Sequence, residues 1–271
     1  ETAAIARLIN DYFGSEEGSS AGRKRVAYTV PDHDETLYAI ASDPELPYTQ
    51  VSIYNKASVA ILETEDDYRE LLVHQLYSHM INARFAEAAR ESDPPFLAAG
   101  SGRTNLVRTK GISYLAAAVE GNEVVPALRA LIEQARSVQG FGFTQSELTR
   151  ARLELLRRIE RAYTERDNAE SDSYMQEYTR NFLEAEAVPG IEKEYEYYNR
   201  FVPEITLAEV NAVADSYLAD SNRVVVVSAV EKDGIDPVDV QALSAALERT
   251  EREVATAYVD EVSDLPLIAS I

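Results

Sequence analysis

Apolar residues at Ile5, Leu8, Ile9 and Tyr12 recur at helical spacing and stop at Gly14, so "ETAAIARLINDYFG" predicts a first helix. The tract "GSEEGSSAG" that follows reads as a flexible linker. Next, "RVAYTV", "TLYAIAS" and "TQVSIYNKA" alternate apolar and polar positions as strands do, and Asp66 or Asp67 is placed to open a long helix through "RELLVHQLYSHMINARFAEAAR". "PFLAAGSG" and "GISYLAAAV" predict two strands near a turn. Helical periodicity then dominates until "NRVVVVSAV", an apolar run with the length of a buried strand. The final "DPVDVQALSAALERTEREVATAYVDEV" predicts a charged helix that leads away from the domain.

Two helix starts are fixed by local chemistry. In "FTQSEL", Thr144 and Glu147 have the spacing of a capping box, in which each side chain satisfies an orphan backbone N–H of the other, and Phe143 and Leu148 stand where a hydrophobic staple needs them. The device recurs at "ITLAEV", with Thr206 and Glu209 as the box and Ile205 and Val210 as the staple, opening a helix through "TLAEVNAVADSYL". The order strands, long helix, strands, helices, strand predicts an α+β fold, a mainly antiparallel sheet covered on one face by several helices.

Composition narrows the partners. The 271 residues, 45% of them apolar, suffice for a substantial core. Against 26 basic residues stand 47 acidic ones, a net charge of −21, which argues against nucleic acid or an anionic membrane as partner. Such a surface suits solubility or a high-salt habitat. Without cysteine there are no disulfides, thiolate metal sites or thiol nucleophiles, and the redox compartment stays open. No run approaches the length of a membrane span. The chain begins without methionine in what reads as mid-helix and ends on the apolar "LPLIASI", the pattern of a piece of a longer polypeptide.

Candidate chemistry is sparse. Two of the three histidines lie in "HQLYSH", but five residues along a helix separate His74 from His79 by about 140°, so they cannot share an ion. Leu72, Leu76, Met80 and Ala83 mark the apolar face, which puts His79 at its edge and His74 on the far, solvent side. A zinc peptidase of the His-x-x-Glu-His kind needs two imidazoles on one face and an acid between them, and none is present. His33, in "PDHDET", has acidic neighbours able to hold a metal weakly, but the pattern predicts a solvated turn, and no metal ligand is assigned. The glycines of "AGSGR" predict a tight turn rather than a phosphate cradle, since no strand-to-helix motif surrounds them. In "EYEYYNRF", Tyr195 and Tyr198 share a helical face and predict packing rather than base stacking. No Gly-x-Ser-x-Gly elbow occurs, so no catalytic residue is assigned.

Three phrases in order, "LLVHQLYSHMINARFAEAARESDPPFLAAGSG", "GFTQSELTRARLELLRRIERA" and "ITLAEVNAVADSYLADSNRVVVVSAV", resemble the non-catalytic repeat of the pitrilysin and insulinase family of zinc metallopeptidases. The resemblance spans roughly residues 37 to 230. It implies that residues 1–20 end a preceding catalytic repeat, 21–234 form the non-catalytic domain and 235–271 link to a following one. It also implies a zinc endopeptidase, bacterial and periplasmic or cytoplasmic with the periplasm favoured, whose zinc sits in the catalytic repeat of the same polypeptide and not in this chain. That repeat and this one would close as a clamshell around a peptide or unfolded protein. Two other readings stand beside it, an inactive structural relative like the core subunits of respiratory complexes, and an unrelated acidic peptide- or protein-binding domain. For substrate contact the resemblance names Phe96, Leu97, Ala98, Ala99 and Gly100, with Phe96 and Leu97 alternating between core and chamber. Small residues there let another backbone approach an exposed sheet edge, although an interior strand under the long helix would need them too.

Overall fold

A computed structural model describes residues 2–15, 26–231 and 238–260. The elements run α1 (Thr2–Phe13), β1 (Leu37–Asp43), β2 (Thr49–Ala57), α2 (Glu65–Ala88), β3 (Ala98–Val107), β4 (Lys110–Val119), α3 (Val124–Phe141), α4 (Gln145–Thr164), α5 (Ser171–Glu184), α6 (Ile191–Phe201), α7 (Leu207–Ala212), β5 (Arg223–Val230) and α8 (Val240–Arg252). The strands form one sheet in the order β1-β5-β2-β4-β3, parallel between β1 and β5 and antiparallel at every other pairing. The architecture is thus α+β with a mainly antiparallel sheet, as the order of elements predicts.

Register explains which face is covered. Val51 lies opposite Ala117 and Val227, and Ile53 opposite Leu115 and Val225, and all six are in the core. The alternate residues Gln50, Tyr54, Tyr114, Ala116 and Val226 face the other way and are only half-buried. Helix α2 crosses the inner face and touches β3, α3, α4, α6 and α7. Enclosed by so many neighbours, it buries eleven residues on several sides, Leu72, Leu76, Tyr77 and Phe85 among them, rather than one stripe.

Three helix starts are set by capping boxes. Thr144 and Thr206 accept from the N–H groups of Glu147 and Glu209, whose carboxylates accept in return, and both staples lie in the core. Helix α2 opens on a third box, Thr64 with Asp67, so Asp67 is its third residue and not its cap.

Four expectations need correction. Residues 26–30 form no strand: Val26 and Tyr28 are 61% and 79% exposed, because an alternating run becomes a strand only beside a partner, and β1 already occupies that edge. The helix after Thr206 stops at Ala212 and tightens into a 3₁₀ turn, Ala214–Ser216. Gly100 and Gly102 lie within extended β3, not in a turn, and a Cβ on Gly102 would sit 2.8 Å from the Tyr114 hydroxyl. Finally, α8 does not lead away: Leu243, Ala246 and Leu247 enter the core and the helix packs on α3. Past it the chain lies extended, and Asp260 meets Arg150 at 3.0 Å. The linker tract is described only at Gly14 and Ser15, and "LPLIASI" lies outside the described residues.

Candidate substrate-contact site

The sheet order makes β3 an edge strand, and the five residues named above lead into it. Phe96 is 3% exposed and meets Phe85 edge to face at 6.1 Å, whereas Leu97 is 58% exposed. Ala98 is exposed, and Ala99 is half-buried against the core. A Cβ built on Gly100 would have open space around it, so no packing contact demands a glycine there. The segment therefore presents small side chains beside a sheet edge, which is the geometry that strand addition uses.

Above the sheet, the histidines of α2 have separate fates. His74 is buried, not solvent-facing: its Nδ1 lies 3.2 Å from the Tyr217 hydroxyl, and Ser78 Oγ lies 3.2 Å from that same hydroxyl. The helix has no solvent side at His74 because the turn carrying Tyr217 covers it. Burial pulls the His74 imidazole down to about 4, with the Arg103 charge acting the same way and Glu70 opposing. His79 is half-buried, at the boundary its position on the helix predicts, and burial lowers its pKa as well. His33 is half-buried in its turn, where its N–H donates to Asn222 Oδ1 and its carbonyl accepts from the Asn222 N–H.

The residues of α2 do not fit a zinc ion. His74 faces Tyr217, His79 lies on a different side of the helix, and the nearest carboxylate to His74 is Glu70 at 3.8 Å from Nε2. Among the described residues, no three histidines, aspartates or glutamates converge as a metal cradle.

Sequence reasoning missed the most buried charge. Arg84 projects from α2 into the core, where it pairs with Glu147 at 2.7 Å and donates to the Gly142 carbonyl at 3.3 Å. Its guanidinium is held between the rings of Phe143, 4.8 Å away, and Tyr258, 4.1 Å away. The one available signal was an arginine four positions after Met80, in line with the apolar face of the helix. The tyrosines of α6 pack as their spacing predicts: Tyr195 stacks on Tyr163 at 4.4 Å, and the Tyr198 hydroxyl donates to Gln75.

No family model matches the chain. A zinc protease, PQQL-like, from Arabidopsis thaliana is 28% identical over 215 residues, which is 79% of this chain and 20% of that protein. The crystal structure of the periplasmic protease PqqL from Escherichia coli superposes with a TM-score of 0.80 at 14% identity, over 99% of this chain and 30% of that one. A predicted insulinase family protease from Yersinia pestis gives 0.75 at 13% identity, over 92% of this chain and 53% of that one. The chain has the pitrilysin/insulinase peptidase fold. It spans about a fifth of its curated relative and under a third of PqqL. Within that fold, α2 and edge strand β3 are the elements on which the candidate contact is built.

Proposed function

We propose that the chain is a non-catalytic domain of a zinc-dependent endopeptidase, which helps enclose a peptide or unfolded protein in a clamshell chamber formed with a catalytic repeat of the same polypeptide. The observation that carries this reading is the pairing of a peptidase fold with a long central helix whose histidines diverge. Residues 21–234 would be the domain proper, flanked by the end of a preceding repeat at 1–20 and a connector at 235–271 whose helix α8 packs back onto the domain. Zinc and its chemistry would belong to the other repeat. The E. coli relative is periplasmic, and a periplasmic parent enzyme is part of the proposal.

The contribution of this domain would be binding. An extended substrate adding to β3 near Leu97–Gly100 gains main-chain hydrogen bonds that are indifferent to sequence. Binding energy realised away from the scissile bond then holds the reacting segment in place. Ala99 packs inward, so the cleaner probe is exposed Ala98. In the polypeptide carrying both repeats, Ala98→Arg should weaken cleavage of long peptides and leave short ones unaffected. Equal loss for both would overturn the reading.

A further inference from the structure

The free edge of β3 is interrupted at one point. The Ser101 N–H donates to Asn82 Oδ1 at 2.7 Å, and Asn82 Nδ2 donates to the Ser101 carbonyl at 3.3 Å. One side chain from α2 thus makes both bonds that a neighbouring strand would make. Because the Ser101 N–H points at Asn82, its pairing with Leu115 on β4 is the kind without mutual hydrogen bonds. By the two-residue period of a strand, the main-chain groups of Ala99 and Arg103 face the same outer side. Towards the far end of the strand the roles are reversed, and a side chain of β3 holds another main chain: Asn105 Oδ1 accepts from the Ala60 N–H at 3.0 Å, and its Nδ2 donates to the Ala60 carbonyl at 3.3 Å.

We propose that Asn82 is a specificity-determining plug that stands in for a strand at Ser101 and so ends any added peptide at Gly100. The inference rests on the strand-addition reading above and deepens it by fixing the length of the peptide that this edge accepts. A peptide bonds through Ala99 and stops against Asn82, so extending it brings no further affinity. Removing the Asn82 amide releases two main-chain groups, and a longer extended peptide then gains both.

The test is a titration of the isotopically labelled chain with two peptides of alternating threonine and valine, four and eight residues long, followed through the backbone amide signals of Ala99 and Ser101. In the unaltered chain both peptides shift Ala99, leave Ser101 in place and bind with equal affinity. In Asn82→Ala the eight-residue peptide binds about tenfold more tightly, the worth of two net hydrogen bonds, and now shifts Ser101. Asn82→Ser, polar but too short to span both groups, gives the same gain and guards against a folding defect in the alanine variant. Ala99→Pro, followed through the neighbouring Ala98 and Gly100 amide signals because proline has none, tests the underlying reading, since an outward N–H can be lost at an edge without harm to the sheet. Unchanged binding by Ala99→Pro, or no binding by any form, overturns strand addition itself. Loss of binding in Ala99→Pro with no gain in either Asn82 variant overturns only the plug.

Discussion

Arg84 and Glu147 meet in the core through two parallel hydrogen bonds, Nε to Oε1 at 2.7 Å and Nη2 to Oε2 at 3.0 Å, with side chains 1% and 4% exposed. The same carboxylate closes the cap of α4 through the Thr144 N–H at 2.7 Å, so one residue anchors a helix start to the C-terminal part of α2. Glu147→Ala leaves a buried guanidinium uncompensated and should cost about 3–5 kcal/mol. The double variant Arg84→Met with Glu147→Gln removes both charges and should cost clearly less than Glu147→Ala alone. Urea unfolding of the three proteins decides it, and a double variant as weak as the single would contradict the argument.

The ring of Tyr258 covers Arg84, and its hydroxyl donates to Glu87 at 2.6 Å. Tyr258→Phe keeps the cover and should be nearly neutral. Tyr258→Ala should lose about 1–2 kcal/mol, the worth of a desolvated cation–π contact. It should also release the extended segment after α8, seen as faster proteolysis between Glu253 and Asp260.

His74 carries a pH dependence whose sign follows from its depressed pKa of about 4 against an ordinary 6.5. The unfolded chain takes up the proton first, so the contribution is complete above about pH 6.5 and is lost as pH falls towards 4, roughly 3 kcal/mol in all. The groups facing the ring are Glu70, Arg103 and Tyr217. Melting curves of the native chain and of His74→Gln should converge over that window. A constant separation between them would remove histidine from the account.

Carboxylates outnumber cations by 47 to 26, so most of the surplus negative charge has no partner to lose when salt is added. Potassium chloride screens this repulsion over about 8–10 Å near physiological strength and more closely at molar strength. The melting temperature should rise with salt, and a flat or falling curve would show that the ion pairs outweigh the surplus.

Metal analysis offers an independent check on the diverging histidines. Purified without a tag, the chain should carry far less than one equivalent of zinc and show no chelator-sensitive cleavage of an unfolded peptide. Equimolar zinc would require a site built otherwise than through α2.

What could be read in advance was what is local. Thr144 with Glu147 and Thr206 with Glu209 lie three residues apart, so neither box depends on the rest of the fold. His74 was misplaced because a helical wheel assumes one dry face, whereas Tyr217, 143 residues further on, dries the other. Val26–Val30 had the alternation of a strand but no neighbour to pair with. Helix α8 was judged by its charges, although Leu243, Ala246 and Leu247 already had the three- and four-residue spacing of a buried stripe. Whether β3 is an edge was unreadable, because strand order is set by pairings that no short window contains. Asn82 belongs to the same class: it is an ordinary polar residue on a helix until Ser101 arrives beside it.

The parallel pairing of β1 with β5 has a consequence for synthesis. Leu37 lies beside Val224, and the Asn222 N–H reaches back 189 positions to the His33 carbonyl, so the sheet closes with residues made long after β1. At about 5–20 residues per second, β1 and the open side of β2 wait roughly 10–40 s for their partner. During that delay β2 has β4 on one side and nothing on the other. Its nascent edge is where mispairing with another chain would start, and where a chaperone has the most to protect.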